Sequence, residues 1–487
     1  MQWLMNLLKS LYSLETLDTR FTRSTTESPS SARDALKLEY RPPLPDTKSS
    51  KWRTIEYYIY YLVFAVVIPT MVKQVYDISN LGSPDWDSFS KRLSRGWIPV
   101  ILEHRTLFDV GFGVIFLIAL HGVSAAKVVL IFYANFKIAT RLPRSYVPVA
   151  TWVFNLGTLF ANEFCRGYPL AKHVDAFSER DRVSHGAALR DFNLKTYLAY
   201  TLYSPLYLAG PILSFNDFVF QSRNCLPTTT TARTSLYGLR FLLALLCMEV
   251  VLHYSYAVAI IKSSPSWAQY TPFQLAMLGN FNLHAVWLKL LIPWRFFRLW
   301  ALVDGLDAPE NMVRCMSDNY STLAFWRGWH RSLNRWVVRY IYVPLGGNGE
   351  GSKVKTMVNI LAVFTFIALW HDINLRLLAW GWLATLFILP EVIAMILFPK
   401  RKWRDWPETF RILCGIGAVG NILMMMAASL VGFVMGVDEV KEMVKAIFAG
   451  WSSAGFVTAA VTCLFVSAQI MFEHREGEKR QGINLKC

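Results

Sequence analysis

The chain has 487 residues, 54% of them hydrophobic and 17% charged, against about 25% charged in an ordinary soluble domain. With 18 Trp, 21 Tyr and 32 Phe and a mean hydropathy of +0.30, the surplus excludes a purely water-soluble enzyme and names the bilayer as solvent. The net charge of +16 comes from Lys and Arg clustered in short stretches between apolar runs, which disfavours nucleic acid as a partner.

The opening stretch WLMNLLKSLYSLETLD is interrupted by Lys9 and followed by no small-residue cleavage site, so it reads as a surface amphipathic helix and not as a signal peptide. Residues 18–54 are rich in Ser, Thr, Pro and charge, ending in Pro42-Pro43 and Pro45, and cannot bury a core. Residues 1–54 therefore read as a largely disordered cytosolic tail.

Apolar stretches of spanning length then recur at 55–72, 107–139 (too long for one span), 146–164, 196–215, 236–261, 272–303, 354–371, 375–398, 410–436 and 449–472. At about 20 residues per crossing these give ten or eleven membrane segments, with no soluble domain between them. The expected fold is an all-α polytopic membrane protein, one unit over 55–472, with 473–487 as a cytosolic tail.

Within 196–303 the polar residues are few. Glu249 and His253, and Asn280 and His284, are four apart on one helix face, and each pair can satisfy itself. Asn319-Tyr320-Ser321 is a glycosylation sequon beside a stretch assigned to the cytosol, where it stays unused.

Wound as one helix at about 100° per residue, residues 323–341 place Arg327, Arg331, Arg335 and Arg339 on one stripe and Trp326, Trp329, Leu333, Trp336, Val337 and Tyr340 on the opposite arc. Such a segment is interfacial or re-entrant, its guanidinium groups suited to water and anions. His330 falls inside the apolar arc, where an imidazole needs a partner or a task; a hydrogen bond to a backbone carbonyl is the structural alternative. Pro344-Leu345-Gly346-Gly347 ends the helix.

Orientation follows from charge. Residues 323–355 carry Arg327, Arg331, Arg335, Arg339, Lys353 and Lys355 against Glu350, and 400–404 is a second basic knot, so both face the cytosol. The intervening 354–398 must be a hairpin with Trp370-His371-Asp372-Ile373-Asn374 at its far tip, which puts His371 deep in, or across, the membrane. Ionisable groups at that depth tend to mark relays or reaction sites. An imidazole with a pKa of about 6.5 suits removal of a proton from a hydroxyl; capping of the last helix carbonyls is the alternative.

Further along, Gly415, Gly417 and Gly420 form G-x-G-x-x-G inside an apolar run without a βαβ context, so the motif reads as helix packing. Seven cysteines form no C-x-x-C pair and nine histidines show no zinc spacing, so neither a disulfide framework nor a metal site is expected.

The strings FWRGWHRSLNRWVVRYIYVPLGG (325–347) and ALWHDINLRLLAWGWL (368–383) resemble the signature of the membrane-bound O-acyltransferases. TYLAYTLYSPLYLAGPILSFNDF (196–218), residues 282–312 and the ending QIMFEHREGEKRQGINLKC resemble the fungal glycerol-uptake branch of that family, a relative of the hedgehog acyltransferases. The resemblance implies helices around a tunnel, acyl-CoA entering from the cytosol as co-substrate with no bound cofactor, and the acceptor from the lumen. His371 matches the family's invariant histidine and His330 its second motif position, which is His, Asn or Asp. Arg327, Arg331, Arg335, Arg339, Lys353 and Lys355 become candidates for the CoA phosphates, with anionic-lipid contact as the alternative.

For the fungal branch the implied reaction is transfer of a long acyl chain to the lyso-form of a glycosylphosphatidylinositol (GPI) anchor in the endoplasmic reticulum, with the plasma membrane as the other location. Relatives carry a longer insert where this chain has only the 169–195 segment. A glycerol–proton transporter and a catalytically silent scaffold are the competing classes. No inverted repeat supports the first, both histidines argue against the second, and the short 169–195 segment argues for it.

Overall fold

The computed structural model describes residues 49–81, 191, 194–224, 226–263, 266–347, 353–372, 374–481 and 483, with isolated positions between 7 and 18 and between 134 and 154. Among them the chain is helical without a strand; one isolated bridge joins Met312 and Trp329. After a single helical turn at Leu14–Leu17, the helices in chain order are α1 (Ile55–Leu81), α2 (Leu194–Thr201), α3 (Ser204–Leu208), α4 (Phe215–Arg223), α5 (Thr231–Tyr254), α6 (Ala257–Lys262) and α7 (Pro272–Val303). They continue as α8 (Thr322–Gly328), α9 (Arg331–Val337), α10 (Lys353–His371), α11 (Leu375–Leu397), α12 (Pro407–Phe433), α13 (Val437–Ile447) and α14 (Trp451–Arg480).

Six of these, α1, α5, α7, α11, α12 and α14, are long and apolar enough to cross a membrane, and α10 is a shorter apolar helix. Pro69, Pro293 and Pro390 lie inside α1, α7 and α11, a placement that membrane helices tolerate because neighbours re-satisfy the freed carbonyls. The expected spans at 107–139 and 146–164, and most of the 169–195 segment, fall outside the described residues.

The expected span at 196–215 is corrected to two short helices. Pro205 can only open a helix, and the chain breaks before it at Tyr203 and after it at Gly210-Pro211. The apolar run at 236–261 is likewise divided into α5 and α6. At the other end, residues 473–480, read from the sequence as part of a tail, continue α14, with Glu473 and Glu478 buried and paired to Arg480 and Arg314 at 2.6 and 2.7 Å.

The chain forms two compact units. The smaller, 88–234 with 297–308, packs Leu213, Phe218 and Val219 against Ala301 and Leu306. Inside it buried Asp307 accepts from Arg233 at 2.9 Å and Arg298 at 3.1 Å, so three desolvated charges satisfy one another.

The larger unit holds 1–87, 235–296 and 309–487. There α10 packs on α11, α11 on α12 and α12 on α14. Small residues permit the approach: a Cβ on Gly432 would lie 2.7 Å from the Trp380 ring, and one on Gly415 2.3 Å from Gln469. Gly415 of the G-x-G-x-x-G motif is thus a packing residue, while Gly417 and Gly420 face open space.

Candidate active site

The single helix expected over 323–341 is broken. α8 ends at Gly328 and α9 begins at Arg331, and between them His330 has φ 46° and ψ 53°, the one non-glycine residue at positive φ among those described. L-residues reach this left-handed region at a cost of about 1–2 kcal/mol, so surrounding contacts must impose it. Trp329 is bridged to Met312, Arg331 N–H donates to the Asn311 carbonyl at 3.1 Å, and Ser332 N–H donates to Asn311 Oδ1 at 3.1 Å. The strand-like segment 311–312 therefore pins the turn on both sides.

The two arms of this turn run in opposite directions along the α10–α11 hairpin. On the incoming arm Leu323 packs at the level of Ile360 and Ile388, and Trp326 meets Phe364 and Trp380 edge-on. On the outgoing arm Trp336 stacks over Phe366 at 6.3 Å, a π-helix covers Val338–Tyr342, and the Leu345 carbonyl accepts from Asn359 at 3.2 Å. The segment is a hairpin with His330 at its apex, beside the tip of α10. The charge-based separation, with His330 near the cytosol and His371 beyond it, is corrected: the two lie in one cluster.

That cluster is aromatic. The His330 ring lies 4.4 Å from Trp294 of α7, tilted 30° to it, and 6.1 Å from Trp370. Trp370 is 5.0 Å from His371, and His371 meets Trp380 and Phe433 edge-on, each at 5.9 Å. Among the described residues neither imidazole has a hydrogen-bond partner. His330 is half-buried. His371, the last residue of α10, is exposed. The tip beyond it turns through Asn374, whose side chain accepts from Arg376 N–H and caps α11.

The six basic candidates do not share one stripe. Arg331 is buried and ion-paired with Asp18 at 3.0 Å, so the expectation that its guanidinium faces water is corrected. Arg327 and Arg335 are exposed on opposite arms of the hairpin. Arg339 and Lys355 are exposed, Lys353 begins α10, and Lys355 Nζ lies beside Gly346, so the two lysines belong to the end of α10 remote from His371.

Of the polar pairs in spans, His284 bonds the Asn280 carbonyl at 2.8 Å and Ser317 Oγ at 2.7 Å, a satisfied side chain. A cavity of about 190 Å³ lies under Trp329, lined by Arg314, Tyr320, Phe325 and Arg475, and includes neither His330 nor His371. Sequence reasoning missed Trp294, Asn311 and Asp18. None carried a local signal, because each acts through a contact distant in sequence.

A family model described as MBOAT, membrane-bound O-acyltransferase family, matches residues 51–437. The chain is 38% identical to membrane-bound O-acyltransferase GUP1 of Saccharomyces cerevisiae over 539 residues, covering 91% of this chain and 94% of that protein. It is 34% identical to GUP2 of the same yeast over 577 residues, covering 95% and 93%. To the protein-cysteine N-palmitoyltransferase HHAT of Mus musculus it is 28% identical over 239 residues, 48% and 45% of the two chains.

Proposed function

The chain belongs to the membrane-bound O-acyltransferase family, and from that premise we propose that it moves a long fatty acyl chain from acyl-CoA to a lipid hydroxyl, the lyso-GPI anchor of the endoplasmic reticulum. One observation carries the reading: the hairpin brings His330 to the tip of α10, where Trp370 touches both imidazoles.

In the proposed reaction His371 takes the proton of the acceptor hydroxyl as its oxygen attacks the thioester carbonyl. The C–S bond breaks, the new ester forms, and the CoA thiolate takes the proton from the imidazolium. No covalent acyl-enzyme is required. The His330 ring offers an N–H as a donor to the carbonyl oxygen, and loss of such a donor costs about 10²–10³ in rate. The exposed aromatic surface around His371 suits an acyl chain. Lys353 and Lys355, at the opposite end of α10, would bind the CoA phosphates with Arg339, where that end meets the cytosol in the charge-derived orientation. Arg327 and Arg335 are secondary candidates for that contact, and Arg331 serves the fold.

Transfer from radiolabelled long-chain acyl-CoA to lyso-GPI in microsomes tests the reading. Labelled product with the wild type and none with His371→Ala at equal protein level is the expected result. Absence of product with both overturns it and returns weight to a transporter or a silent scaffold.

A further inference from the structure

The N-terminal segment enters the larger unit next to the His330 turn. Asp18 is wholly buried, and one of its carboxylate oxygens accepts both from Arg331 at 3.0 Å and from Glu310 N–H at 2.9 Å. The preceding residues are fastened from the other side. Arg240 of α5 donates to the carbonyls of Ser10, Leu11 and Ser13, at 2.7, 2.8 and 3.0 Å, and to Thr16 Oγ1 at 2.6 Å. Thr16 in turn donates to the Ser10 carbonyl at 2.6 Å. Leu17 is buried as well. Asp18 and these residues lie within the stretch 1–54 expected to form a largely disordered tail.

The geometry joins Asp18 to the apex of the hairpin by two routes. Arg331 is covalently next to His330, so its guanidinium fixes the residue that leaves the left-handed turn. Glu310, held by Tyr237 at 2.6 Å and Arg295 at 3.4 Å, precedes Asn311, which clamps the amides of Arg331 and Ser332. Asp18 lies outside residues 51–437, the span matched by the family model.

We infer that Asp18 is a positioning residue for the His330 turn, so that the N-terminal segment is a built-in part of the acyl-transfer site. A carboxylate is required because the partner is a desolvated guanidinium. Removing one member of such a pair leaves an uncompensated buried charge, whereas replacing both by apolar residues of similar volume is often neutral for stability. That contrast separates positioning from mere stabilisation. The inference rests on the proposed function for its kinetic arm alone.

The experiment compares wild type, Asp18→Asn and the double variant Asp18→Leu/Arg331→Met, all full length in detergent. The double variant is expected to melt within a few degrees of wild type while its kcat falls about 10-fold or more and KM for acyl-CoA holds, as expected of a misplaced catalytic group. Hydrogen exchange of the Arg331 and Ser332 amides reads the turn without any substrate. It should accelerate at least about 10-fold in either variant that folds, with α12 unchanged. Wild-type exchange at both amides, or wild-type kcat in a variant with wild-type melting, overturns the inference. Failure of both variants to fold also overturns it, because the pair would then be a folding requirement. Faster exchange in a protein whose wild type transfers no acyl group would sink the proposed function and leave the positioning intact.

Discussion

Trp370 is the shared neighbour of the two histidines, its ring 6.1 Å from that of His330 and 5.0 Å from that of His371. It is also half exposed, at 51%, so substrate can reach the surface that links them. Trp370→Ala should lower kcat about 10²-fold, the cost of an approximately 1 Å misplacement, whereas Trp370→Phe should retain most of it. Single-turnover rates with saturating acyl-CoA check this.

His330 carries two separable duties, a left-handed backbone and a ring donor. Asn tolerates positive φ and can donate a hydrogen bond; Ala cannot do either well. His330→Asn should therefore keep the wild-type melting temperature and part of the activity. His330→Ala should lower stability by about 1 kcal/mol and rate by about 10²–10³. Melting in detergent beside a transfer assay separates the two losses.

The basic residues divide by position. Arg339→Ala combined with Lys355→Ala should raise KM for acyl-CoA several-fold, with less effect at high salt, and leave kcat near wild type. Arg331→Ala should instead destabilise the fold, since it removes the buried guanidinium that Asp18 pairs with. Salt-dependent kinetics and thermal melts distinguish them.

Glu391, just after Pro390 in α11, accepts from the Ser321 hydroxyl and from Leu323 N–H, and so caps the incoming arm of the hairpin. Glu391→Ala should cost about 1–3 kcal/mol through two unmade hydrogen bonds. Glu391→Gln, which still accepts, should cost less in the same melt.

The hairpin of α10 and α11 could be read from two basic knots and the apolar length between them, and α7, α12 and α14 from unbroken apolar runs. The unusual mix of 323–341 was legible too, as an interfacial or re-entrant segment rich in arginine and tryptophan. Its break at His330 was not, because nothing local demands positive φ there; Asn311, Met312 and Asp18 impose it from afar. The span expected at 196–215 failed for the opposite reason: Pro205 and Gly210-Pro211 were present, but apolar length outweighed them. The arginine stripe depended on an unbroken helix and dissolved with it.

The 19 residues of α10 rise about 28 Å, while α12 and α14, with 27 and 30 residues, rise about 40 and 45 Å. Among the described apolar helices, the one that carries His371 is shorter than every helix of spanning length. A hydrocarbon layer of about 27 Å, as in the endoplasmic reticulum, fits α10 without distortion, whereas a sterol-rich layer of about 32–33 Å leaves a mismatch of about 4 Å beside the histidine. Thickness is thereby coupled to the site: a thicker bilayer must thin locally or pull the hairpin tip inward, and acyl transfer in reconstituted vesicles should fall as lipid chains lengthen.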